Sequence, residues 1–220
     1  AWWTPVEEAS ATSPAVSPSG HRVVVGSNAG ELLYLDVERC DANEDDDANG
    51  ERCAPAWTWP ILGRPLLGSV AVDEHGRVVA WHASTEPTDP DLFSLADGGD
   101  HGEPIFETCF AEAGETNRQW TSAATVLDGA IVGTVTDMQD VVETPLGLPL
   151  ALATSHDLVV VDRETGAVLD RRPVPDDSVN SPAVGPDGAV YLPLLGMIDL
   201  ASPADAVTFE GGVVRFDPLW

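Results

Sequence analysis

The chain has 220 residues, 43% of them hydrophobic, which is enough to bury one sizeable core. It carries 37 acidic residues against 10 basic ones, all of them arginine, and the net charge of -27 excludes nucleic acid and anionic membranes as general partners. No apolar run approaches the ~18 residues that indicate a membrane span, so membrane insertion is excluded as well.

An internal repeat is the strongest pattern along the chain. Four stretches share one spacing, in which Ala follows Ser by two positions and Gly follows it by seven. The stretches are SPAVSPSGHRVV, SVAVDEHGRVVA, SAATVLDGAIVG and SPAVGPDGAVYL, and they begin at Ser13, Ser69, Ser122 and Ser181. The repeats therefore begin near 13, 69, 122 and 181.

Each repeat predicts four short antiparallel strands. The Ser-x-Ala segment forms the first strand, and a polar turn follows whose Gly adopts a positive φ. The β-branched run after that Gly predicts the second strand. The third strands are ELLYLD, DLFSLA, DLVVVD and GVVRFD, and the segments around Trp57 and Leu169 indicate fourth strands.

Four strands in ~50 to 60 residues form one blade of a β-propeller. The fold prediction is thus an all-β chain, a single β-propeller domain over 1–220 with about four blades of four antiparallel strands. A β-sandwich is the alternative fold. Whether the blades form a complete small ring or part of a larger one stays open. A complete ring would use the segment from Trp2 to Pro5 as the outer strand of the last blade.

Segments between the repeats are predicted as loops at blade edges, where binding functions usually lie. They span 39–55, 82–90, 137–150 and 196–210. The first is the acidic insertion flanked by cysteines.

The repeats resemble the PQQ-like (pyrroloquinoline-quinone-like) β-propeller repeat. The resemblance rests on SPAVGPDGAVYL and on HDLVVVDRETGAVLDRRP, whose Asp-x-x-Thr-Gly turn runs from Asp162 to Gly166. The sequence departs from the family pattern at Asp170, which occupies the position of the usual closing tryptophan. The family includes dehydrogenases and assembly factors, so the resemblance implies an architecture and not an activity.

Cys40 and Cys53 bracket the acidic segment CDANEDDDANGERC. A close pair flanking a loop predicts a disulfide, which indicates an oxidising compartment: extracellular, periplasmic or at the cell surface. Cys109 is predicted to be free or to pair outside the chain.

The acidic segment also carries half of a calcium-binding pattern. Asp45, Asp47 and Asn49 occupy the first, third and fifth positions of D-x-[DN]-x-[DN]-G, and Glu51 would contribute its carbonyl oxygen. The twelfth position is Ala56, so the closing carboxylate is missing. The loop resembles the calcium loops of thrombospondin type 3 repeats. The prediction is weak Ca²⁺ binding, with a solvated acidic hairpin tip as the alternative.

Catalytic patterns are not found in the sequence. The glycines lie in hairpin turns, no G-x-S-x-G occurs, and the five histidines share no metal spacing. No PQQ is expected, because no residue matches a quinone contact. The prediction is no enzyme but a non-catalytic exported propeller module that binds a protein or glycan partner or forms part of a surface assembly. The alternatives are a fragment of a PQQ-dependent oxidoreductase and a carbohydrate-binding propeller.

Overall fold

The structure is a computed structural model. It describes residues 2–6, 12–42, 51–60, 69–81, 90–110, 118–120, 122–143, 149–175, 178, 180–194 and 211–218. The chain divides into two compact units. Unit 1 comprises Ala1–Ala83, Pro90–Thr108 and Glu164–Gly166, and unit 2 comprises Ser84–Asp89, Cys109–Arg163 and Ala167–Trp220.

The described residues are almost entirely β-structure. The first elements are β1 (Trp2–Trp3), β2 (Ala15–Val16), β3 (Arg22–Gly26), β4 (Glu31–Asp36), α1 (Val37–Ala42), β5 (Glu51–Arg52), β6 (Trp57–Pro60), β7 (Ala71–Val72), β8 (Val78–Trp81), β9 (Leu92–Asp97) and β10 (Gly102–Thr108). They are followed by β11 (Arg118–Trp120), β12 (Thr125–Val126), β13 (Ala130–Glu143), β14 (Pro149–Asp162), β15 (Val168–Val174), β16 (Ala183–Val184), β17 (Val190–Leu194) and β18 (Gly212–Phe216).

Unit 1 contains two antiparallel four-stranded sheets, ordered β2-β3-β4-β6 and β7-β8-β9-β10. Every second residue of a strand lies on the same face, and the apolar residues on the inner faces pack into one core. The fully buried members include Val24, Leu32, Val78 and Leu95. The predicted second, third and fourth strands of the first sheet are confirmed.

Unit 2 is built on the same plan. Strands β11, β13, β14 and β15 form one sheet in that order, with β12 also paired to β13, and β16-β17-β18 form a second sheet. Their apolar core includes Val132, Leu158, Val190 and Leu192. In all four repeats the first short strand pairs antiparallel with the second, as predicted.

The repeated glycines have the left-handed backbone that the turn prediction requires. Their φ values are 76° at Gly20, 78° at Gly76, 90° at Gly129 and 78° at Gly188. A residue with a Cβ is disfavoured in this conformation, which explains why the same offset from Ser carries Gly each time.

Strand β1 pairs in parallel with β5, Trp2 opposite Glu51, so it is not the outer strand of the last sheet, which was one of two alternatives left open by the sequence. Two predicted details are wrong. The 39–55 insertion is not all loop, since α1 and β5 lie partly within it. The predicted loop 137–150 is largely strand, because β13 and β14 extend through it and pair Val142 with Leu150. The extent of a single domain over 1–220 stays a prediction.

Candidate ligand-binding cleft

A polar cleft of about 330 Å³ lies in unit 1, where the turn after β2 and the turn after β7 come together. Helix α1 and the end of β9 complete its lining. The lining residues are Ser17, Ser19, His21, Arg22, Tyr34, Glu38, Glu74, His75, Gly76 and Asp97. The cleft therefore combines side chains from both sheets of unit 1.

Tyr34 is a buried part of this lining. Its ring stacks on Trp57 with centroids 4.3 Å apart and an interplanar angle of 8°. Its hydroxyl donates a long 3.5 Å hydrogen bond to the carbonyl of Gly76. Burial first, and then the negative charge of Asp97, raise the pKa of Tyr34 to about 12. The hydroxyl consequently keeps its proton at neutral pH.

Asp97 is held by several donors. Its carboxylate accepts hydrogen bonds from Trp57 Nε1 at 3.0 Å and from the Gly99 amide at 2.9 Å, and it lies 3.5 Å from Arg22 Nε. Burial alone would raise the pKa of Asp97. The donors at Gly99 and Trp57 and the charge of Arg22 outweigh burial, so its pKa is lowered. Asp97 thus presents a fixed negative charge to the cleft.

Arg22 has its positive charge balanced within unit 1. It forms a 3.0 Å ion pair with Asp36 in addition to the contact with Asp97. Burial would lower the pKa of Arg22, and the nearby charges of Asp36 and Asp97 raise it above the ordinary value. Two carboxylates therefore offset this one guanidinium.

The second turn has its backbone fixed by Asp73, whose side chain is almost completely buried. The carboxylate accepts from the amides of His75 at 2.8 Å and Arg77 at 2.9 Å, and from Arg77 Nε at 2.7 Å. Arg77 also pairs with Glu164 at 2.7 Å. This network positions Glu74, His75 and Gly76 without using their side chains.

The rim consists of two pairs of a histidine and a glutamate. His21 Nδ1 lies 3.0 Å from Glu38, and His75 Nε2 lies 3.5 Å from Glu74. All four side chains are more than half exposed, so a ligand can reach them. The rim is accessible while the groups beneath it are fixed by their neighbours.

Glu38 reaches the rim because α1 begins directly after β4. The carboxylate of Asp36 caps this helix, accepting from the amides of Glu38 at 3.0 Å and Arg39 at 3.2 Å. The disulfide between Cys40 and Cys53, with Cα atoms 4.9 Å apart, closes the insertion as predicted. Both cysteines are buried against Leu35, whereas Cys109 is exposed and takes no part in this bridge.

The predicted calcium ligands Asp45, Asp47 and Asn49 lie outside the described residues, and of Glu51 the structure gives the backbone in β5. Calcium binding therefore stays a prediction. In the described ranges no group of three or more His, Cys, Asp or Glu side chains could hold a metal ion.

The sequence did not predict the cleft, because the histidines were considered only for metal spacing and share none. The available signal was the residue that follows the repeated glycine. It is His21 or Arg77 in the first two repeats and Ala130 or Ala189 in the last two. The residue after the glycine is thus polar in the two turns of unit 1 and alanine in the two turns of unit 2.

No protein family profile matches the sequence, and no curated protein matches it. Among solved structures, the computationally designed Ika4 protein is 13% identical with a TM-score of 0.56, and the match covers 98% of this chain and 96% of that one. A quinohemoprotein alcohol dehydrogenase from Comamonas testosteroni is 14% identical with a TM-score of 0.57, covering 96% of this chain and 33% of that chain.

Hydrazine synthase from Kuenenia stuttgartiensis is also similar, at 13% identity and a TM-score of 0.55, and the match covers 94% of this chain and 53% of the enzyme chain. At such identities the likeness establishes fold alone. Together with the repeated antiparallel sheets, it confirms the predicted β-propeller fold of four-stranded blades. The resemblance to the PQQ-like repeat stays a prediction, because no family profile matches the sequence. The resemblance to thrombospondin type 3 loops finds no support.

No helix in the described part of the chain is long and apolar enough to cross a membrane.

Proposed function

We propose that this protein is a non-catalytic, exported β-propeller module that binds a protein or small ligand, and that the cleft in unit 1 is its ligand site. The observation that carries the proposal is the contrast between the rim and the groups below it. Asp97, Arg22 and Asp73 are held by neighbouring groups, whereas the rim side chains are exposed. A preorganised floor below an accessible rim lowers the ordering cost of binding.

Export is supported by the disulfide between Cys40 and Cys53, because such bonds persist in oxidising compartments. The proposed location is extracellular, periplasmic or at the cell surface. Mass spectrometry of non-reduced peptides from the native source tests it. Recovery of both cysteines as free thiols would contradict export.

The competing enzyme function is a quinone-dependent oxidoreductase. It is tested by incubating the purified chain with pyrroloquinoline quinone, Ca²⁺, an alcohol and a redox dye. We expect the rate of dye reduction to equal that of the same mixture without protein. A protein-dependent rate would overturn the non-catalytic assignment.

The other alternative, carbohydrate binding, requires an accessible aromatic face. Trp57 and Trp81 are buried and Trp59 is half-buried, and the ring of Tyr34 is covered by Trp57. These four rings therefore offer little surface to a sugar, which favours the other ligand classes at the cleft.

The cleft assignment is tested by blocking it. His75→Trp places a large side chain at an exposed rim position and leaves the His75 amide bonded to Asp73. The matched control is His101→Trp, at an equally exposed histidine of unit 1 that does not line the cleft. Labelled parent and variant chains are applied to a peptide array and a glycan array.

We expect the signals of the parent to be lost with His75→Trp and kept with His101→Trp. Absence of any reproducible signal on both arrays would contradict the binding function. Signals that His75→Trp leaves unchanged would contradict the location of the site.

A further inference from the structure

We propose that the cleft binds the guanidinium or ammonium end of a cationic ligand, with Glu38 and Glu74 at the rim and acceptor oxygens at the floor. This inference rests on the proposed function and specifies its ligand class.

The rim supplies negative charge from two separate segments. Glu38 comes from α1 and Glu74 from the turn after β7, and both carboxylates line the same cleft. Both are more than half exposed, so they contact an entering ligand before the floor does. The net charge of -27 adds a long-range field that attracts cations and repels anions.

The floor supplies oriented acceptors. Tyr34, Gly76 and Asp97 all line the cavity, and Asp97 contributes a carboxylate. Trp57 and the Gly99 amide both donate to Oδ1 of Asp97, and its Oδ2 lies 3.5 Å from Arg22 Nε, so this carboxylate is fixed in place as an acceptor for a ligand. N–H groups of a cation donating to such oxygens form charge-assisted hydrogen bonds, which are the stronger class.

The positive charge of Arg22 does not reverse the preference of the cleft for cations. Its guanidinium is held between Asp36 and Asp97, so its charge is already offset inside the protein. An anionic ligand would compete with these two carboxylates and would also pass the glutamates of the rim.

Two other ligand classes fit less well. A metal ion needs several converging ligands, and the described residues contain no group of three or more His, Cys, Asp or Glu side chains that could hold one. A sugar needs a flat ring, and the Tyr34 ring packs face to face on Trp57. The volume of about 330 Å³ is at the lower end of small-ligand pockets and suits a single side chain or small amine.

The same chemistry has two sources, a free cation and an Arg side chain of a partner protein. The experiment uses agmatine for the first and a pentapeptide with a central Arg for the second. A peptide with citrulline at that position is the control, because citrulline keeps the shape and loses the charge. Dissociation constants are measured by calorimetry on the full chain.

We expect the Arg peptide or agmatine to bind at least about tenfold more tightly than the citrulline peptide. We expect Glu38→Gln/Glu74→Gln to weaken cation binding by about tenfold, since each exposed ion pair is worth about threefold. The matched control, Glu107→Gln, removes an exposed acid of unit 1 outside the cleft and should change the constant less than about twofold.

Circular dichroism of each variant shows whether it folds like the parent. A preference for the Arg peptide over agmatine identifies a protein partner, and the reverse identifies a free cation. Equal affinity for the Arg and citrulline peptides, with agmatine binding no more tightly than either, would overturn the cationic ligand class. If the peptides bind equally and His75→Trp abolishes their binding, the proposed binding function stands although the cationic ligand class fails. If none of the three probes binds and both arrays are blank, the binding function and the ligand class fail together.

Discussion

In unit 1 the turns after β2 and β7 carry charged and polar side chains, whereas in unit 2 the turns after β12 and β16 place a buried alanine directly after the glycine, Ala130 and Ala189. The backbones are equivalent, since all four glycines have φ between 76° and 90°. The repeated glycine thus fixes the path of each turn, whereas the residue that follows it differs between the two units.

The largest predicted effect separates two glycines with similar φ values, 72° at Gly166 and 76° at Gly20. At Gly166, in the Asp-x-x-Thr-Gly turn, a Cβ would lie 2.5 Å from the side chains of Phe106 and Thr108, whereas at Gly20 it would meet nothing within 4 Å. We expect Gly166→Ala to cost about 3 to 4 kcal/mol, from the backbone and from overpacking. Gly20→Ala should cost about 1 to 2 kcal/mol for the backbone alone. Urea unfolding measures both, and equal losses would contradict the crowding at Gly166.

Removing the disulfide measures how much it stabilises the segment that brings Glu38 to the rim. Cys40→Ser/Cys53→Ser should lower the free energy of unfolding by about 3 kcal/mol, because the reduced chain regains loop entropy. The control is Cys109→Ser, at the exposed cysteine outside the bridge. An unchanged urea midpoint for the double variant would show that the bridge does not stabilise unit 1.

The contrast between the turns is tested directly by two aspartates. Asp73→Ala removes three hydrogen bonds from a buried carboxylate, and Arg77 keeps its pair with Glu164. We expect a loss of about 2 kcal/mol, since hydrogen bonds to a charged group are among the stronger ones. Asp128→Ala in the equivalent region of unit 2 changes an exposed side chain and should cost less than about 0.5 kcal/mol. Thermal unfolding that ranks the two variants in the opposite order would contradict the contrast.

The smallest expected effect concerns the acidic loop between Cys40 and Cys53. We expect Ca²⁺ to bind with a dissociation constant of about 10⁻⁴ to 10⁻³ M or weaker, because the carboxylate at the twelfth position is missing. Calorimetry at millimolar Ca²⁺ compares the parent with Asp45→Ala/Asp47→Ala. Identical, featureless titrations of both would leave a solvated hairpin tip.

Local patterns allowed the strands and glycine turns to be predicted, because alternation and positive φ are properties of a few adjacent residues. The parallel pair β1 and β5 depends on a partner distant in sequence. The β13–β14 extension pairs residues close in sequence, such as Glu143 with Pro149, but it lies outside the repeated stretches on which the strand prediction rests. The cleft is also formed by residues that are distant in sequence. Its contact between Arg22 and Asp97 joins residues 75 positions apart, so no short motif marks it.

The most direct test of the central claim is an amide NMR titration of the full chain with agmatine and with the Arg peptide. Trp57 Nε1–H donates to Asp97, and the Gly76 amide lies in the second turn, so both signals report on the floor of the cleft. The account predicts that these two signals shift saturably with the tighter-binding cation and shift little with the citrulline peptide. Saturable shifts confined to unit 2, with both reporters unchanged, would contradict it.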